Sequence, residues 1–226
     1  MSRTGHTIAS SRQPSPIVEP APALVAIGHS AGGLAPLREL LEALPSAFSG
    51  AIVIAQHAAA GSDLVGLLRL WLKREVVYAS PGALLCSGVV FVRPAQHHIA
   101  VRPDATLAIS QKERVRFARP SIDWLFESAA ASYAERAIAV VLSGANADGA
   151  RGARRIAANG GSVIVQRPDT ARWRAMPEAT LRYGIADACV APEELAAAIA
   201  SRVAEMEAAH QPACHAGFFS GSSQVS

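Results

Sequence analysis

The feature that most restricts the fold is an alternation. Short apolar runs, each too short for a helix and too dense for a loop, are followed by segments with helical periodicity. ALVAIG (23–28) leads into GGLAPLRELLEALP, whose leucines at 34, 37, 40, 41 and 44 share one helical face. AIVIAQ (51–56) precedes SDLVGLLRLWLKR, AIAVVLS (137–143) precedes DGARGARRIAANG, and SVIVQ (162–166) precedes a last pair of helical segments. Strands that read as continuous apolar runs are buried on both faces, and that happens when helices cover both sides of a parallel sheet. The expected class is therefore α/β: a doubly wound, mainly parallel sheet with helices on both faces. Residues 84–109 break the rhythm with short strand-like runs between turn signals, which predicts a short antiparallel excursion.

Composition narrows the function classes. Half of the 226 residues are hydrophobic, 17% are charged and the formal net charge is +3, so neither a disordered chain nor a nucleic-acid binder is indicated. Cys86, Cys189 and Cys214 form no CxxC pair and no disulfide framework, which suits a reducing, cytoplasmic setting. No apolar stretch is long enough for membrane insertion, and no signal-peptide core opens the chain. Residues 1–22 are expected to be a flexible N-terminal tail, residues 23–208 the folded domain and residues 209–226 a flexible C-terminal tail. His210, Cys214 and His215 in that last stretch lack a fourth ligand and a fixed frame, so no metal site is expected there.

In an open parallel sheet, ligands bind beyond the carboxyl ends of the strands. The polar residues found there are Ser30 after the first run, His57 after the second and Asp148 after the run at 137–143. Serine, imidazole and carboxylate are the set that activates a hydroxyl for attack on a carbonyl. The stretch GHSAG around Ser30 fits G-x-S-x-G, in which small neighbours let a strand turn sharply into a helix. A glycine-rich phosphate loop is the competing reading. It lacks the Lys-Ser/Thr of a P-loop, and Gln56-His57 stands where a dinucleotide fold would carry an acid. An ordinary α/β-hydrolase runs Ser, acid, His, whereas the order here is Ser30, His57, Asp148.

Six separated motifs then stand in register: AIGHSAGG, VIAQH, FVRPAQHHIAV, RPSIDWLF, VVLSGANADGARG and AMPEAT. On these the chain, over roughly residues 23–205, resembles the catalytic domain of the CheB-type protein-glutamate methylesterases of chemotaxis. The resemblance implies Ser30 as nucleophile, His57 as base and Asp148 as orienting acid. It further implies hydrolysis of glutamate methyl esters on the cytoplasmic region of methyl-accepting chemotaxis receptors, and deamidation of glutamine by the same route. No cofactor or metal is implied. Many members carry Thr where this chain has Ala31, and G-M-G-x-D-G where it has Gly144 to Gly149, with Ala145 in place of Met. Backbone N–H groups at Ala31 and Ala145 remain candidates for an oxyanion site, and Met176 for the wall of the substrate cleft. Residues 1–22 do not hold the receiver domain typical of these enzymes, so control is expected from a partner such as a separate response regulator, from expression, or from nothing. A non-catalytic binding module and a small-molecule esterase or amidase are the alternatives.

His29 is read as a packing or loop residue, and His97 and His98 as surface histidines of a turn. Asp123 reads as a first-turn acid of a helix capped by Ser121, and for Arg119 just before it a place facing the cleft is the lesser of two readings. Asp187 competes with Asp148 for the orienting role but lacks its flanking glycine.

Overall fold

The structure is a computed structural model that describes residues 19–57, 62–110 and 121–210. Seven parallel strands form the main sheet: β1 (Leu24–His29), β2 (Ala51–Gln56), β3 (Val76–Tyr78), β4 (Val90–Val92), β7 (Ala137–Val141), β8 (Ser162–Gln166) and β9 (Ala188–Val190). Their order is β3-β4-β2-β1-β7-β8-β9. The chain builds outward from β1 on one side, then returns to its other side through β7. This places the topological switch point beside β1, where ligand crevices form.

Alternate residues of each strand feed two separate cores. Leu24 and Ala26 of β1 pack with α3 (Ile122–Tyr133), α4 (Ala150–Ala158) and α5 (Ala175–Leu181), through Leu125, Phe126, Ile156 and Met176. Val25 and Ile27 face α1 (Leu34–Ala43), α2 (Leu64–Trp71) and α6 (Pro192–His210), through Leu37, Leu41, Leu68 and Ile199. The period-2 alternation of a strand thus supplies both faces at once, as the unbroken apolar runs require.

The expected antiparallel excursion holds for β5 (His98–Val101) and β6 (Leu107–Ser110), which form a separate two-stranded antiparallel sheet. Val90–Val92 departs from that expectation, since it joins the main sheet parallel to β2 and β3. All three of its residues are buried, as in a parallel strand covered on both sides. Packing at the N-terminal side reaches back to Ala21, which is buried and whose N–H donates to Leu85 O. Among the described residues no helix is long and apolar enough to cross a membrane.

Candidate active site

Strand β1 ends at His29, and the chain turns at once into α1. Ser30 N–H donates to Ser143 O at 3.0 Å, beyond the end of β7, and Gly33 N–H donates to Ser30 O at 3.1 Å. On the other flank His57 N–H donates to His29 O at 3.1 Å, which carries the β1–β2 register, His29 opposite Gln56, one step further. Ser30 and His57 therefore sit side by side at the ends of adjacent strands, which in a sheet lie about 4.8 Å apart. Gly144, against which Met176 packs, has no room for a side chain: a Cβ there would overlap the thioether.

Asp148 is fixed far more heavily. Its side chain is 5% exposed. Oδ2 accepts from Ile122 N–H at 2.8 Å and faces His57 Nε2 at 2.8 Å, while Oδ1 accepts from Asp123 N–H at 3.0 Å and Ser121 Oγ at 3.2 Å. The carboxylate thus occupies the N-terminus of α3, where unpaired N–H groups and the helix dipole favour negative charge. Burial would raise its pKa, but the His57 bond and the N–H groups of Asp123 and Ile122 outweigh that and hold it below the usual carboxylate value. The arrangement is reciprocal. Asp123 Oδ1 accepts from Gly149 N–H at 3.0 Å and Gly152 N–H at 2.8 Å, so Asp148 caps the helix that holds Asp123, and Asp123 caps the helix that follows Asp148. Gly149 makes the connecting bend at φ +95°, a conformation that side chains resist.

These bonds assign the imidazole. A carboxylate only accepts, so His57 Nε2 carries the proton and Nδ1 holds the lone pair. Asn146 Nδ2 donates to that Nδ1 at 3.3 Å, and Asn146 Oδ1 accepts from Asp148 N–H at 3.0 Å. Ser30 Oγ makes no hydrogen bond among the described residues. The structure therefore brings His57 and Asp148 into direct contact and sets Ser30 beside them on the neighbouring strand end. The lone pair that would take the hydroxyl proton rests on Asn146.

Around Ser30 the backbone is open. Ala31 and Ala145 are exposed, and among the described residues their N–H groups donate to no acceptor. Two free donors flanking a serine can hold an oxyanion, the first of them in the turn that opens α1. Ser143 holds this turn in place, its Oγ donating to Ala31 O at 2.8 Å and accepting from Trp173 N–H at 3.0 Å. Met176 is fully buried, so it backs the serine turn from below.

The other sequence candidates separate cleanly. His29 is fully buried, and burial lowers its pKa to about 4. It is a packing residue. Asp123 starts α3 behind the Ser121 cap, as its position predicts. Asp187 accepts from Val163 N–H at 2.8 Å, at the start of β8, away from the strand ends that carry the site. His98 corrects the expectation of a surface histidine: it is fully buried, accepts from Ser121 N–H at 3.2 Å and packs on Trp124 with ring centroids 5.4 Å apart. The reason is that it begins β5, whose neighbour Ile99 enters the core, rather than the preceding turn. Arg119, Cys214 and His215 lie outside the described residues. Among those described, no group of three His, Cys, Asp or Glu side chains could hold a metal.

Sequence reasoning did not find Asn146 or the roles of Ser121 and His98 in fixing Asp148. The cap signal at Ser121 was legible. That it serves an acid 27 positions later required the packing of α3 on α4.

Against known proteins, residues 25–199 match the family described as CheB methylesterase. A Leptospira interrogans protein, provisionally named protein-glutamate methylesterase/protein-glutamine glutaminase, is 38% identical over 174 residues, 76% of this chain and 90% of its own length. The protein-glutamate methylesterase FrzG of Myxococcus xanthus is 34% identical over 180 residues, 78% of this chain but only 53% of FrzG. The crystal structure of the Thermotoga maritima CheB methylesterase catalytic domain superposes with a TM-score of 0.76 at 27% identity, covering 79% of this chain and 97% of that domain.

Proposed function

Because the chain belongs to the CheB methylesterase family, we propose that it hydrolyses methyl esters of protein glutamate side chains with Ser30, His57 and Asp148 as its working groups. The observation that carries the reading is the Asp148–His57 contact at 2.8 Å, set beside a serine whose turn offers two free backbone donors.

The steps follow from the bonds. Asp148 stays ionised and holds Nε2–H, so Nδ1 is the basic atom. For reaction the Ser30 hydroxyl takes the place of the Asn146 amide at Nδ1. Ser30 Oγ then attacks the ester carbonyl as its proton passes to His57. Negative charge on the carbonyl oxygen falls between the N–H groups of Ala31 and Ala145, donors that depend on no side chain. The imidazolium, stabilised by Asp148, returns the proton to the departing methoxide. Methanol leaves, and water repeats the cycle on the acyl-enzyme to release glutamate. A glutamine amide passes through the same tetrahedral intermediate, with ammonia leaving, which accords with the double name carried by the Leptospira relative.

The substrate we infer is the cytoplasmic region of a methyl-accepting chemotaxis receptor. A shallow rim with an exposed serine turn suits an ester carried on a large protein surface. Methanol release from a methylated receptor fragment tests the reading. Ser30→Ala is expected to lower the rate by about four orders of magnitude or more. Equal release by the two proteins overturns it.

A further inference from the structure

A cavity of about 350 Å³ lies at the ends of β2 and β4, on the same edge of the sheet as the proposed catalytic groups. Its walls include Gln56, the residue before His57, together with Ser62, Asp63, Tyr78, Val92 and Arg93. Arg93 is 8% exposed, and among the described residues neither its Nε nor its Nη1 has a hydrogen-bond partner. Among the described residues no carboxylate forms an ion pair with it. Asp63, on the same wall, is already engaged by Tyr78 O–H at 2.6 Å and Gly66 N–H at 2.8 Å.

A buried cation without a counter-charge is costly, and proteins rarely keep one without a use. Burial lowers the Arg93 pKa to about 10, which leaves it charged at neutral pH. Proton loss therefore does not relieve the charge. An incoming anion does.

We propose that Arg93 and this cavity form a carboxylate-binding subsite beside the catalytic rim. The guanidinium fork matches the two oxygens of a carboxylate. Asp63 is kept anionic by Tyr78 and Gly66, which disfavours two negative charges together inside the cavity; a compact phosphate dianion is thereby selected against, while a single carboxylate enters and the second carboxylate of a flexible diacid stays in solvent. Gln56 supplies a neutral amide close to the base-bearing end of β2, linking occupancy of the cavity to the neighbourhood of His57. The carboxylate can come from an acidic side chain next to the ester on the substrate, or from a free small acid.

Glutarate is the probe. At constant ionic strength and about ten times its Kd, it is expected to raise the unfolding temperature of the wild type by roughly 3 °C. Arg93→Met, which removes the buried charge at similar volume, is expected to fold at least as stably and to lose the glutarate response. Arg93→Lys, a point charge without the fork, is expected to keep less than half of it. No shift in the wild type, an undiminished shift in Arg93→Met, or an equal shift with inorganic phosphate overturns the proposal. Two methyl-ester peptides, one with a neighbouring glutamate and one with glutamine there, identify the source. A roughly tenfold preference in kcat/KM for the acidic peptide that vanishes in Arg93→Met assigns the subsite to the substrate, and equal turnover with a retained glutarate response assigns it to a free acid. Should neither peptide be hydrolysed, the reading of Ser30 fails while the glutarate result still decides the subsite.

Discussion

The two halves of the proposed site are built in opposite ways. Around Asp148 the carboxylate is saturated: four donors converge on its two oxygens, and Asp123 in turn caps the helix that follows Asp148. Around Ser30 the donors are left over. Among the described residues the hydroxyl is unbonded and the N–H groups of Ala31 and Ala145 meet no acceptor, and the base is parked on an exposed asparagine. A group that must hold one charge throughout the cycle profits from being over-determined. Groups that receive the substrate must be free of partners until it arrives.

The largest effect expected from breaking the saturated half is on activity. Asp148→Asn places an amide N–H₂ against the donors of Ile122, Asp123 and His57, and at least one clash of donors follows. A fall in kcat of about 10³- to 10⁴-fold is expected from initial rates of methanol release. A loss below tenfold would show that the imidazole is held by something else.

Next in size is a difference in acid response between two buried groups. His29 has its folded pKa depressed to about 4 from 6.5, so the unfolded chain binds the extra proton and stability falls as pH drops through that interval. The loss approaches roughly 3 kcal/mol by pH 4. Asp148, also depressed, contributes stability that is present above its unfolded value of 3.8 and disappears only as pH falls further, through the folded value. The unfolding free energy from urea melts should therefore fall steeply between pH 7 and 4 in the wild type and much less in His29→Leu. Parallel curves would place the sensitive group elsewhere.

Ser121→Ala should cost about 1 kcal/mol in stability, the usual worth of an N-cap, and loosen one of the four bonds on Asp148. A drop in kcat of about fivefold with unchanged KM is expected, since the substrate does not touch this residue. The smallest effect sharpens the open half. Asn146→Gly removes the competitor for His57 Nδ1, and kcat should rise by about two- to threefold. A decrease would make Asn146 a positioning residue.

How far the sequence carried this picture differs between elements for physical reasons. Strands β1, β2, β7 and β8 were legible because unbroken apolar runs buried on both faces leave a clear signal, even where, as in β8, the run is only Val163 to Val165. Strands β3 and β9, three residues each at the sheet edges, leave no period to read. Ser30, His57 and Asp148 could be proposed from strand ends alone, because topology puts those ends on one edge. Asn146, His98 and Arg93 could not, since their significance lies in which atoms lack or find a partner, and that exists only once the chain is packed.

The central claim is that Ser30 is a hydroxyl made nucleophilic by His57 and Asp148. Its most direct test is the rate at which a serine-directed phosphonate labels the protein, with the modified residue located by peptide mass. A single adduct on Ser30, formed at least 100-fold more slowly in His57→Ala and in Asp148→Asn, is the result expected. Labelling of another residue, or equal rates on Ser30 in all three proteins, would contradict it.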